Sequence, residues 1–222
     1  MRTEVIVVAA GAGKRLKTKV PKALVALKGR PLLAYCLKVF NAHPDINGIV
    51  IVGVKDHLKA FQRIARGFKK VRAVVAGGSK RSDSVKCGLK ALSPDTGIVL
   101  VHDAARPFVD RAMIGRLIAA LKKNKAAIVG VPVKFTVKRV DRKSLDIQAT
   151  LARDLLWEAQ TPQGFQRQVL VKAHAQEFEE EATDDAIVVE RMGGRVKVVM
   201  GSYRNIKVTM PEDMILAKQL SV

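Results

Sequence analysis

Cysteine is almost absent from the 222 residues: Cys36 and Cys87 are the only two. Neither belongs to a Cys-x-x-Cys pair or a Cys/His cluster of metal-ligand spacing, which excludes a disulfide-stapled fold and a cysteine-rich metal site and makes a reducing cytoplasm the expected compartment. Aromatic residues make up 5%, leaving few platforms for stacking on nucleic-acid bases. Eight prolines and 16 glycines are too few for a collagen-like or low-complexity chain. No apolar run approaches the ~18 residues of a membrane span. The apolar start, Val5 to Ala10, is too short for a secretory signal and meets Lys14 and Arg15 at once. Acidic residues are scarce too: 20 against 40 Lys and Arg, a net charge of +20. Such a surface attracts anions, among them nucleotides, sugar phosphates, nucleic acid and acidic lipid, and sign alone does not choose between them.

What is abundant is material for a core. Hydrophobic residues are 48% of the chain, enough for one large domain. Short β-branched runs at Val5–Ala9, Ile49–Val54, Val71–Ala76, Ile98–His102 and Ala127–Val133 predict strands. Between them Pro31–Ala42, His57–Arg66, Ser82–Leu92 and Arg111–Lys122 carry apolar residues at helical spacing, as in Met113, Leu117, Ile118 and Leu121. Alternating strands and helices, with strands apolar on both faces, predict an α/β fold: a mostly parallel sheet between helical layers. Ligands of such sheets bind outside the carboxyl ends of the strands. The pattern breaks over Lys134–Thr150, where charges interrupt the apolar residues, and predicts a projecting hairpin or arm. Helices are expected to resume at Arg153–Glu158, Gln168–Gln176 and Asp184–Met192, followed by a strand at Val196–Met200 and a last helix at Pro211–Leu220. Trp157 is expected to pack in the core or the arm, and both cysteines to be buried thiols.

Three strand ends carry polar residues. After the first comes Ala9-Ala10-Gly11-Ala12-Gly13-Lys14-Arg15-Leu16, leading to Pro21-Lys22. Glycines let backbone approach a ligand, and inward N–H groups of a turn bind phosphate. A dinucleotide fingerprint would need glycine where Leu16 stands, and a Walker A loop would need glycine at Val8 and Ser or Thr at Arg15. What remains is a glycine loop with cations Lys14, Arg15 and Lys22, read either as a phosphate site or as a tight turn with solvated side chains. The second end, Gly77-Gly78-Ser79-Lys80-Arg81-Ser82-Asp83-Ser84, offers small hydroxyls and free N–H donors, although an N-cap role accounts for Ser82 or Asp83 without a ligand. The third, His102-Asp103-Ala104-Ala105-Arg106-Pro107, puts a carboxylate at the sheet's edge. Asp103 is the best candidate ligand for Mg²⁺, a hard ion that bridges phosphates through one or two carboxylates, while His102, with no partner at ligand spacing, reads as structural.

These blocks, with Arg153-x-x-x-Trp157-x-x-Gln160-Thr161-Pro162-Gln163-x-Phe165 and Asn205-Ile206-Lys207-Val208-Thr209-x-Pro211-Glu212-Asp213, run in register from about residue 5 to 218. Together they resemble the 2-C-methyl-D-erythritol 4-phosphate cytidylyltransferases of non-mevalonate isoprenoid biosynthesis. The resemblance implies a single Rossmann-like nucleotidyltransferase domain over 1–222 with a dimerisation arm at about 134–153. It also implies transfer of a cytidylyl group from CTP to methylerythritol phosphate, with Mg²⁺ as cofactor, in a cytoplasmic homodimer whose arms interlock. At matching positions it implies that Ala10, Gly11, Gly78 and Ser84 contact cytosine and ribose, that Arg15 and Lys22 hold the triphosphate, and that Asp103 contacts the ribose beside the metal. Arg106, Thr136, Thr161, Thr183 and Lys207 would line the sugar-phosphate site, with Arg153 reaching in from the partner's arm. One departure is Ser79, where the family often has an acidic residue.

The chemistry asks for no general base, because a phosphate oxygen already ionised near neutral pH is the nucleophile. In-line attack on the α-phosphorus of CTP makes catalysis a matter of positioning and fixed cations, here Arg15, Lys22, Lys207 and the metal. Ribitol-5-phosphate cytidylyltransferases share this loop and chemistry, but resemble the chain less: they favour Ala-Gly-Gly in the first loop and Asp-Ala-Val before Arg-Pro. A basic nucleic-acid-binding protein is the alternative of a different class; charge, as in the stretches Lys17–Arg30 and Lys55–Lys90, is its only support. The exceptional acidic stretch Glu177, Glu179, Glu180, Glu181, Asp184 and Asp185 reads as a solvated helix end, with Thr183-Asp184-Asp185 starting the next helix.

Overall fold

A computed structural model describes the chain apart from Ala12, Lys17, Lys19, Glu177, Glu179 and Val222. Its elements in chain order are β1 (Arg2–Ala9), β2 (Ala26–Leu27), β3 (Arg30–Pro31), α1 (Leu32–Ala42), β4 (Gly48–Gly53), α2 (Leu58–Ala65), β5 (Val71–Ala76), α3 (Arg81–Lys90) and β6 (Thr96–Asp103). There follow α4 (Arg111–Leu121), β7 (Ala126–Pro132), β8 (Lys138–Val140), β9 (Ile147–Thr150), β10 (Trp157–Gln166), α5 (Arg167–Ala175), α6 (Asp185–Arg191), β11 (Lys197–Met200) and α7 (Pro211–Leu220).

Seven strands form one sheet in the order β11-β7-β10-β6-β1-β4-β5. All neighbours run parallel except β10, which is antiparallel to both β6 and β7. Every residue of β4, Gly-Ile-Val-Ile-Val-Gly, is buried, as a strand covered on both faces must be. The pleat sorts the side chains of β1: Val5 and Val7 meet Phe40 of α1, Phe61 of α2 and Leu117 of α4, whereas Ile6 meets Val85 of α3, Leu170 of α5 and Val189 of α6. Each layer is closely packed, so removing a ring such as that of Phe40, which is fully buried, costs ~3–5 kcal/mol. A third cluster, in which Leu16, Leu27 and Val208 meet Ala217 of α7, seats the end of the chain beside the turn that follows β1.

The sheet has one buried carboxylate at its amino edge. Glu4 accepts hydrogen bonds from the Ser93 N–H, the Ser93 hydroxyl and the Thr96 hydroxyl, each at 2.9 Å, and from Arg2 Nε at 3.1 Å. Burial by itself would raise its pKa, but these bonds hold it below the ordinary value. Glu4 is thus a fully engaged structural group, on the edge away from the strand ends where ligands bind.

The helix expected over Arg153–Glu158 does not form. Arg153–Leu155 is one 3₁₀ turn and Trp157 already begins β10, whose residues pair with β7 from Trp157 opposite Pro132. Leu155, which a helix would have turned inward, is 77% exposed. The arm is the hairpin expected, with β8 paired antiparallel to β9. Cys36 is buried, but Cys87 only half-buried. The cap of α3 also differs: the carboxylate of Asp83, inside the first turn, accepts the N–H of Lys80 at 3.1 Å, so neither Ser82 nor Asp83 is the N-cap. Asp184 is the N-cap of α6, as the sequence suggests, accepting the Ile187 N–H at 3.0 Å.

Candidate functional site

Strand β1 ends at Ala9 and the chain turns back on itself. Gly13 sits at φ +73°, a left-handed conformation that glycine adopts without a Cβ penalty. The Leu16 N–H then donates to the Gly13 carbonyl at 2.9 Å and the Lys22 N–H to the Gly11 carbonyl at 3.3 Å, so the loop closes with Arg15 and Lys22 on one side. The described atoms do not include the side chain of Lys14. Next to this turn lies the start of α3, where Gly78 is close enough that a Cβ would overlap Asp83. Parallel pairing of β1 with β6 puts Val8 level with Asp103. Finally the Val208 N–H donates to the Ala105 carbonyl at 2.8 Å, bringing Lys207 over the end of β6.

These segments enclose a cleft of about 430 Å³ whose lining includes Ala10, Gly11, Arg15, Lys22, Gly78, Ser84, Asp103 and Lys207. The expected nucleotide-contacting residues and the cations Arg15, Lys22 and Lys207 therefore meet at the carboxyl edge of the sheet. Ser79, Lys80 and Arg81 line it as well. Among the described residues Asp103 is the only carboxylate on its wall. Burial would raise the pKa of Asp103, but Arg81, Lys207 and Arg106 hold it well below the usual carboxylate range. Lys207 Nζ lies 2.7 Å from Asp103 Oδ2 and Arg81 Nε 3.2 Å from Oδ1. Lys22 is shifted the other way: burial, then the neighbouring charges of Lys207 and Arg15, push its pKa down. A cleft in which, among the described residues, one carboxylate faces five cations is short of negative charge, and a bound polyanion would supply it.

The arrangement is held from behind by neutral groups. His102, fully buried, has its Nε2 3.0 Å from the Arg106 carbonyl and its Nδ1 3.1 Å from the Thr161 hydroxyl. The first contact needs an N–H on Nε2, the second runs in either direction because a hydroxyl both donates and accepts, and a neutral ring protonated on Nε2 satisfies both. Burial agrees, pushing its pKa down to about 4. His102 is structural, as expected, and the hydroxyl of Thr161 is engaged inside the fold, since it also accepts the Asp103 N–H at 3.1 Å. Buried Asn205 fixes the Lys207 segment by donating to the Thr161 carbonyl at 2.9 Å.

The other expected substrate residues do not line this cleft. Arg106 donates to the carbonyls of Asn205 at 2.7 Å and Ala159 at 3.3 Å, while its buried Nε has no partner. Thr183 is exposed before α6, Thr136 is exposed at the root of the arm, and Arg153 donates to the Lys134 carbonyl at 2.9 Å beside a separate depression. The sequence reading gave no chemical role to Arg81 and Asp185, yet Arg81 Nη2 lies 2.8 Å from Asp185 Oδ2 while its Nε holds Asp103. The available signal was the place of Arg81 in the second glycine-rich block. Glu177 and Glu179 of the acidic stretch lie outside the described residues. Among the described residues no three His, Cys, Asp or Glu side chains gather as a metal cage, and no helix is long and apolar enough to cross a membrane.

A family profile described as IspD, 2-C-methyl-D-erythritol 4-phosphate cytidylyltransferase, matches residues 3–221. The enzyme of that name from Alkaliphilus metalliredigens is 45% identical over 222 residues, covering 98% of this chain and 92% of its own. One from Geobacter metallireducens is 43% identical, covering 96% and 94%. Among solved structures, a 4-diphosphocytidyl-2C-methyl-D-erythritol synthase from Anaerococcus prevotii superposes with a TM-score of 0.86 at 34% identity, over 98% of this chain and 97% of that one. The bifunctional IspDF of Campylobacter jejuni aligns at a TM-score of 0.80 and 29% identity, over 96% of this chain and 53% of its own.

Proposed function

The chain belongs to the 2-C-methyl-D-erythritol 4-phosphate cytidylyltransferase family, and we propose that the cleft after β1 is where it joins the cytidylyl group of CTP to methylerythritol phosphate with release of pyrophosphate. The observation that carries this reading is the convergence of Arg15, Lys22 and Lys207 on a cleft lined, among the described residues, by a single carboxylate. Small anionic substrates account for that convergence, and no nucleic-acid partner is needed.

In this reading the backbone of Ala10 and Gly11, with Gly78 and Ser84, holds the cytosine and ribose, and Asp103 takes a ribose hydroxyl. Arg15 and Lys22 hold the triphosphate. A phosphate oxygen of methylerythritol phosphate attacks the α-phosphorus; the new P–O bond forms as the bond to the β-phosphate bridging oxygen breaks, and pyrophosphate departs carrying that electron pair. Charge growing on the equatorial oxygens and the leaving group is met by Lys22 and Lys207, which are already in place and need no reorganisation. Arg106, Thr161 and Thr183 belong to the sugar-phosphate side.

Mg²⁺ fits this donor set. One carboxylate, Asp103, together with phosphate oxygens is the environment such an ion takes. When bound it supplies Lewis-acid charge to the phosphate oxygens.

The arm supports homodimerisation. Phe135, just before the hairpin, and Leu145 and Ile147 within it are 80%, 70% and 64% exposed, and the two strands have no core of their own. A second copy of the chain covers them, and that arrangement brings Arg153 and Thr136 to the neighbouring cleft. The function is tested by pyrophosphate release from CTP. Turnover with methylerythritol phosphate, dependent on Mg²⁺, is expected; preference for ribitol phosphate would overturn the substrate assignment.

A further inference from the structure

Asp185 lies outside the cleft and touches no substrate in the mechanism above. It is the first residue of α6 and fully buried. Its Oδ2 forms an ion pair with Arg81 Nη2 at 2.8 Å, close in distance but not aligned as a hydrogen bond, and its Oδ1 takes His174 Nε2 at 3.2 Å. Burial would raise its pKa, but Arg81 and His174 outweigh that, so Asp185 stays ionised. Its place is fixed from the backbone too: Gln163 Oε1 of β10 accepts the N–H groups of Asp185 at 2.9 Å and Ala186 at 3.1 Å, and Gln163 Nε2 donates to Asp184 Oδ2 at 2.8 Å. Arg81 is therefore a fork with one prong in the cleft, on Asp103, and the other anchored to α6.

We propose that Asp185 is a positioning residue for cytidylyl transfer: it holds Arg81 turned partly away from Asp103, leaving Asp103 Oδ2 to Lys207. The argument is one of competition for a single carboxylate. An arginine with no second partner closes on a carboxylate with both prongs, because its planar fork matches both oxygens. Freed from Asp185, Arg81 would take both oxygens of Asp103 and displace Lys207 from the end of β6. The same anchor holds the start of α6, so Thr183 and Asp103 are set relative to each other through Arg81. Misplacing reacting groups by about 1 Å lowers turnover on the order of 10²-fold, so the effect should appear in kcat more than in the KM for CTP.

The test uses Asp185→Asn, which keeps shape and removes charge, with Arg81→Lys, which keeps charge and removes the fork, and the double variant. The proposal rests on the cytidylyltransferase reading, and wild-type turnover in the same assay tests that reading separately. Measured well below each melting temperature, both single variants should lose roughly 10- to 100-fold in kcat with a much smaller change in the KM for CTP. The double variant should be no slower than the slower single one. A near-normal kcat in Asp185→Asn, or losses that multiply in the double variant, would overturn the proposal. A crystal structure of Asp185→Asn decides it without any turnover: Arg81 on both oxygens of Asp103 with Lys207 displaced is expected, and an intact Lys207–Asp103 pair refutes it.

Discussion

At the scale of single residues, the cleft is a place where like charges are kept together at a cost. Lys22 has a pKa lowered by burial and by Lys207 and Arg15, which means that the protein's own groups around it disfavour its charge. A triphosphate reverses this balance, so Lys22 contributes most when nucleotide is bound and when charge is developing. Lys22→Ala is expected to lower kcat on the order of 10²–10³-fold, as loss of an oxyanion donor does, with the fold unharmed as judged by melting. Steady-state kinetics check this, and near-normal turnover would remove Lys22 from the mechanism. His102 makes an opposite kind of prediction. Its pKa is depressed to about 4 in the folded chain against ~6.5 unfolded, so below pH 6.5 the unfolded state binds the extra proton. Its share of stability is complete above about pH 6.5 and is lost as the pH falls from there towards 4, a change of roughly 3 kcal/mol. An NMR titration should find the His102 ring neutral and unshifted down to about pH 5, in contrast to an exposed imidazole.

At the scale of elements, legibility followed burial. Strands β1, β4, β5, β6 and β7 and helices α1, α3 and α4 were readable within a residue or two because their apolar periods answer to two buried sheet faces. Strand β10 was not readable. Its Trp-Glu-Ala-Gln-Thr-Pro-Gln-Gly-Phe-Gln carries proline, glycine and few β-branched residues, and its strand conformation comes from its slot between β6 and β7. The register shift between Ala159 and Gln163 marks where that slot imposes itself on an unwilling sequence. The cleft was legible because glycine turns and strand-end polar residues are local signals. The Arg81–Asp185 contact was not, since 104 positions of chain separate its partners and only the layer in which α3 and α6 both pack against α5 joins them. The arm yields its own prediction. Replacing Phe135 and Leu145 by Ser should shift the protein from dimer to monomer in sedimentation without unfolding it, because neither side chain contributes to the core; turnover should fall if Arg153 serves the partner's cleft.

At the scale of the whole molecule, a net charge of +20 sits on a surface whose cations are mostly solvated, while the cleft holds its own at fixed positions. The two populations respond differently to salt. At 1 M salt the screening length falls to about 3 Å, which quenches attraction at the surface but far less within a partly buried site. CTP with Mg²⁺ should therefore still raise the melting temperature at 1 M salt, whereas any adherence of DNA should vanish. The sheet explains the division of labour: its amino edge holds Glu4, completely bonded, and its carboxyl edge holds Asp103 among cations awaiting an anion. A crystal structure with CTP bound tests that account most directly. The account predicts cytosine against Gly11 and Gly78 and the triphosphate between Arg15, Lys22 and Lys207; nucleotide seated anywhere else on the molecule would contradict it.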